Sequence, residues 1–184
     1  MRLMPLVIVM FSFLAGFALV TPSRAAERPL ETVSVVDLDR YLGRWYEIAS
    51  YPAWFQKGCT ATTADYSRRE DGLVKVANSC RKGDPEGKLK QSVGRAKVVD
   101  TTTGAKLKVS FFGPFWGDYW IIDLDPDYRW AVVGVPNRKY LWLLSRTPQM
   151  DDSVYRDILA RLPAMGYDPA RLNRTPQPAA GDAE

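Results

Sequence analysis

Between Gly43 and Arg146 the chain is cut into short alternating or β-rich runs, each bounded by turn residues. Their spacing, roughly 8–12 residues, is that of an antiparallel β protein. The clearest run is Lys106-Leu107-Lys108-Val109-Ser110-Phe111, which puts Leu107, Val109 and Phe111 on one face and the lysines on the other. Similar texture marks Gly43–Ser50, Thr60–Arg68, Leu73–Val76, Gln91–Val99, Tyr119–Leu124, Trp130–Val135 and Tyr140–Arg146. Glu70-Asp71-Gly72, Lys82-Gly83-Asp84-Pro85, Thr103-Gly104, Gly113-Pro114, Asp125-Pro126 and Val135-Pro136-Asn137 supply the turns. Connections this short exclude parallel crossovers, so consecutive strands pair as neighbours. An eight-stranded meander leaves two open edges unless it closes, and closure as an up-and-down barrel removes both. The expected fold is therefore all-β, an eight-stranded antiparallel up-and-down barrel.

After the last run the period changes. Val154, Ile158 and Leu162 recur every four residues between Pro148 and Ala164, with Asp151 and Asp152 at the start and Gly166 at the end. This predicts one amphipathic helix laid on the outside of the sheet. The segment 175–184 is rich in Pro, Ala and Gly and is expected to be a flexible tail.

Residues 1–25 read as a secretory signal peptide, with Arg2, an apolar run from Leu6 to Val20, and the small-x-small sequence Ser23-Arg24-Ala25. The run is shorter than the roughly 20 residues that span hydrocarbon. The expected division is signal peptide 1–25, barrel domain 26–174 and tail 175–184, with the mature chain exported to the periplasm. Cys59 and Cys80 are the two cysteines, and an even count in an exported protein favours a disulfide over free thiols. If Tyr66 and Val74 face each other across their hairpin, Arg81 rather than Cys80 stands opposite Cys59. A bridge then requires a bulge near Cys59.

Composition narrows the function. The formal charge is only +4 and falls further when Arg2 and Arg24 are removed, which gives no field for nucleic acid. There is no histidine, which excludes Ser-His-Asp and Cys-His arrangements and histidine metal or haem sites. Neither a metal nor a cofactor is expected.

Tyr41-Leu42-Gly43-Arg44-Trp45-Tyr46-Glu47-Ile48-Ala49 contains the Gly-x-Trp pattern that opens the first strand of lipocalins. Leu124-Asp125-x-x-Tyr128 and Leu144-Ser145-Arg146 follow in the family's order, and Val109-Ser110-Phe111-Phe112-Gly113-Pro114-Phe115 resembles the bacterial subgroup. Over residues 38–148 the chain resembles the lipocalin family, specifically the bacterial outer-membrane, apolipoprotein D-like lipocalins. The resemblance implies that Arg146 lies across the indole of Trp45 at the barrel floor, with Gly43 allowing close backbone approach. All three are then structural. Members of the bacterial subgroup are anchored through an N-terminal cysteine, and none follows the apolar run here.

Leu107, Val109 and Phe111 facing inward sets the in-and-out rule for their strand. The resemblance extends it to Tyr66, Val74, Val76, Tyr119, Ile121, Val133, Tyr140 and Trp142, together with Ala64, Ala131 and Leu144. Such a wall suits the acyl chain of a fatty acid or lysophospholipid, with Tyr66, Tyr119 or Tyr140 meeting its polar end near the mouth. The alternative is a barrel filled by its own aromatics. Trp54, Phe55, Phe112, Phe115 and Trp116 fall in or beside loops, as a lid, as a rim touching the outer membrane or a second copy, or as ordinary surface aromatics.

The leading expectation is a non-enzymatic carrier, monomeric or weakly dimeric, with a role in envelope maintenance that the resemblance implies. A scavenger of pigment, tetrapyrrole or siderophore-like ligands is the alternative, and a lipocalin-fold enzyme is third. Against an enzyme, Asp123 and Asp125 sit at a family turn and look structural.

Overall fold

The computed structural model describes residues 28–178. Eight antiparallel strands follow in sequence: β1 (Gly43–Ser50), β2 (Cys59–Arg68), β3 (Val74–Lys82), β4 (Leu89–Val98), β5 (Lys106–Ser110), β6 (Gly117–Leu124), β7 (Trp130–Gly134) and β8 (Leu141–Ser145). Each pairs with the next, and β1 pairs with both β8 and β2, so the sheet closes into the expected barrel. The signal-peptide reading lies outside the described residues. Among those residues no helix is long and apolar enough to cross a membrane.

A four-residue helix, α1 (Leu38–Tyr41), seals one end. Asp37 caps it by accepting from the Asp39 and Arg40 amides, and the Tyr128 hydroxyl in turn accepts from the Asp37 amide at 2.7 Å. The Val36 amide donates to Thr103 and Arg40 to the Pro126 carbonyl, tying the plug to two turns at that end. At the other end, loops 51–58, 83–88, 111–116 and 135–140 surround the mouth.

The helix α2 (Asp152–Arg161) packs outside, where Tyr155, Ile158 and Leu162 bury against Ile48, Ile122, Val132, Leu141 and Leu143. Asp151 holds the N-cap position, but its side chain makes no capping bond. Gly166 takes the left-handed conformation that ends the following turn. Because α2 covers β6 to β8, those strands are apolar on both faces. At β5 the inner face carries Leu107 and Val109 and the outer face lysines, with Lys108 paired to Asp118 outside.

Two details of register differ from expectation. Tyr66 pairs with Val76, not Val74, so the hairpin is two residues longer and β3 continues to Lys82. The required bulge is present between Thr60 and Thr63, with Ala61 at a φ of 48°. Cys59 stands opposite Lys82 rather than Cys80, and the disulfide joins it diagonally to Cys80 with Cα atoms 5.4 Å apart.

The start of the expected loose tail is ordered for a physical reason. β1 and β2 pair only through Tyr46 and Thr63, then diverge toward the mouth. A ninth strand, β9 (Asn173–Arg174), pairs with Ala49 and Ser50, and the chain continues through the gap. Thr175 donates its amide to Ile48 and Pro176 accepts from Ala61. The Gln177 amide group donates to both Glu47 and Thr62 carbonyls at 2.8 and 2.9 Å. These bonds satisfy backbone groups that the β1–β2 split would leave unpaired inside the wall.

Candidate functional site: the barrel interior

The floor is built first. Trp45 is fully buried, with its indole nitrogen donating to the Tyr41 carbonyl at 2.8 Å. Arg146 lies 3.8 Å over its ring centroid. The guanidinium donates to three backbone carbonyls, those of Arg40, Arg44 and Tyr128, so its charge is met by dipoles and a π face. Gly43 has a φ of 91°, and a Cβ there would stand 3.4 Å from the Arg146 Nη1. Gly43, Trp45 and Arg146 thus meet at the closed end of the barrel.

Above the indole sit three tyrosines. Tyr41, its ring tilted against that of Trp45 at 4.9 Å, shares a 2.7 Å hydrogen bond with the Tyr119 hydroxyl. Tyr66 bonds the same hydroxyl at 2.9 Å. Burial pushes the Tyr66 phenol up to about 12, and Tyr41 and Tyr119 well above their ordinary value for the same first reason. All three are neutral hydroxyls at any physiological pH. Tyr41 precedes the motif glycine by two residues and has no periodic signal of its own.

The expected wall residues separate into two levels. Tyr66, Val74, Val76, Leu107, Ile121 and Val133 are buried in one apolar cluster with Trp45, Ala131 and Leu144. Val109, Phe111, Tyr119 and Trp142 pack against that cluster but retain accessible surface, as does Ala64. Phe111 lies across Gly94, where a Cβ would come within 2.8 Å of its ring. Tyr140 is not in the wall. It precedes β8 at the rim, stacked on Trp142 at 5.7 Å and against Phe55 at 5.5 Å. Of the tyrosines expected near the mouth only Tyr140 is there; Tyr66 and Tyr119 lie toward the closed end, against Tyr41 of the plug.

Loop 51–58 joins the interior through a buried carboxylate that carries no motif. Glu47 accepts from Ser50, Gln56 and Thr175 side chains at 3.0, 2.7 and 2.6 Å. The Gln56 carbonyl oxygen accepts in turn from the Trp142 indole at 2.9 Å. A cleft of about 380 Å³ lies beside this network, between the loop and residues 173–176. Trp54 at 82%, Phe112 at 79% and Phe115 at 77% are exposed at the mouth. Trp116 instead lies under Arg95 and Lys97 on the outer face of β4.

A closed barrel plugged at one end and apolar within defines a class of container for one small molecule. The Lipocalin-like domain family model matches residues 36–177, and the chain belongs to the lipocalin family. It is 42% identical to the outer membrane lipoprotein Blc of Escherichia coli K12, over 97% of this chain and 99% of that protein. It is 39% identical to temperature-induced lipocalin-1 of Arabidopsis thaliana, over 82% and 84% of the two chains. For mouse apolipoprotein D the identity is 32% over 77% of each. Among solved structures, insecticyanin from the tobacco hornworm Manduca sexta superposes with a TM-score of 0.66 at 19% identity, covering 82% of this chain and 85% of that one. Lobster apocrustacyanin A1 gives 0.61 at 16% identity, covering 77% and 79%. Both share the fold.

Proposed function

We propose that the protein carries one small apolar or amphiphilic molecule, a fatty acid or lysophospholipid, within the barrel, in the bacterial envelope. The observation that supports this best is the division of the interior. Val109, Phe111, Tyr119 and Trp142 keep accessible surface above a packed floor, where a self-filled barrel would bury them all. An acyl chain against those four side chains loses its contact with water. Its polar end meets the rim at Tyr140 and Gln56.

Binding is favoured over chemistry because the acidic residues that an enzyme reading would turn to have structural partners. Asp123 pairs with Arg161, and Asp125 with Arg129, both at 2.8 Å. The E. coli, Citrobacter freundii and Vibrio cholerae relatives are outer membrane lipoproteins by name, which supports an envelope location. The exposed Trp54, Phe112 and Phe115 form an apolar rim suited to peripheral contact with the outer membrane. Native mass spectrometry of protein purified from its own host tests the reading. An acyl lipid in the barrel supports it, and a coloured or tetrapyrrole ligand replaces it.

A further inference from the structure

The tyrosine floor carries an unbalanced count of protons. Three hydroxyls bring three donors, but only two hydrogen bonds join them, Tyr41 to Tyr119 and Tyr66 to Tyr119. No other partner reaches these oxygens among the described residues. One O–H is therefore left without an acceptor in an apolar surround, a costly arrangement.

The geometry indicates which one. Tyr41 and Tyr66 are buried at 1% and 7% exposure. Tyr119, the hub, packs against the inner cluster and is the least buried of the three. When both flanking tyrosines donate to Tyr119, its own proton is the spare one. Two incoming hydrogen bonds also polarise that hydroxyl and make it a better donor.

We infer that Tyr119 is the donor of a hydrogen-bonding subsite at the bottom of the lumen, and that the barrel prefers apolar molecules whose inserted end carries a neutral oxygen acceptor, such as a ketone. This rests on the carrier reading and deepens it, since a plain methyl end leaves the proton unsatisfied. A charged end is disfavoured there. Arg146 is engaged by three carbonyls and Trp45, so a buried carboxylate finds no free cation.

The test compares two fatty acids of equal length, one saturated to its end and one with an oxo group on the penultimate carbon. The length is the one at which affinity for plain acids levels off. Titration of the full folded protein should show the oxo acid binding about 3- to 10-fold more tightly, the range one net hydrogen bond supplies. Tyr119→Phe should erase that preference, so that the two acids bind the variant equally. Should Tyr119→Phe fail to fold, the infrared carbonyl stretch of the labelled oxo group bound to wild type decides. It should lie below its position in dry hydrocarbon. Equal affinities in wild type, a preference that survives Tyr119→Phe, or an unshifted stretch overturns the subsite while leaving the carrier reading intact. Failure of both acids to bind removes the carrier reading and the subsite with it.

Discussion

The Arg146 guanidinium, at the end of β8, lies 3.8 Å over the indole of Trp45 in β1 and reaches the carbonyl of Arg40 in the plug with one nitrogen and that of Arg44 with another. One side chain thus joins the two strands that close the barrel to the helix that seals it. Arg146→Ala should destabilise the fold by roughly 1–3 kcal/mol, through lost packing, cation–π attraction and three unpaired carbonyls. Affinity per folded molecule should stay nearly constant. Denaturation and ligand titration on one sample check both.

The Cys59–Cys80 bridge closes a loop over a sequence separation of 21. Removing it by Cys80→Ser together with Cys59→Ser should cost on the order of 3 kcal/mol. Denatured, unreduced wild type should show no reactive thiol by labelling.

The C-terminal seam makes a further prediction. Gln177 bonds Glu47 of β1 and Thr62 of β2 with one amide group. Gln177→Ala strips both carbonyls of their partner, for an expected loss of roughly 1–3 kcal/mol. Amide exchange should rise at Ala61 and Thr175, whose backbone bonds complete the seam. Exchange unchanged at both positions would mean the segment contributes nothing to closure.

Alkaline pH acts on the tyrosine floor. Burial raises Tyr66 to about 12 in the folded state, above its unfolded value. The neutral phenol therefore stabilises the fold fully below about pH 10, and this contribution is lost as pH rises from there through about 12. Titration of tyrosinate absorbance should show exposed phenols ionising near their ordinary value. Tyr41, Tyr66 and Tyr119 should ionise only in a late step that coincides with unfolding.

The strict alternation of Leu107, Val109 and Phe111 made the inner face of β5 legible, and turn spacing made the strand count legible. β6 to β8 carry no such pattern, because α2 buries their outer face, so residues such as Ile122 and Leu143 are as apolar as Ile121 and Leu144. The hairpin register was misplaced by two residues, since Leu73-Val74-Lys75-Val76 fits either pairing by period alone. Thr175, Pro176 and Gln177 resemble a disordered tail in composition. Their order comes from backbone groups that the β1–β2 split exposes, and no local pattern encodes that. Tyr41 and Glu47 were missed as site residues for a related reason. Each is defined by partners from distant elements, Tyr119 and Tyr66 for one, Gln56 and Thr175 for the other.

The most direct test of the carrier account is a titration of wild type, Val109→Trp and Lys108→Ala against fatty acids of increasing chain length. Wild-type affinity should rise with each added CH₂, by up to about 0.8 kcal/mol, until the lumen is full and the gain stops. Val109→Trp puts a large ring into the lumen and should weaken binding and shorten the length at which the gain stops. Lys108→Ala, on the opposite face, should change little. Affinity that ignores chain length, or equal affinity in wild type and Val109→Trp, would contradict an acyl chain held inside the barrel.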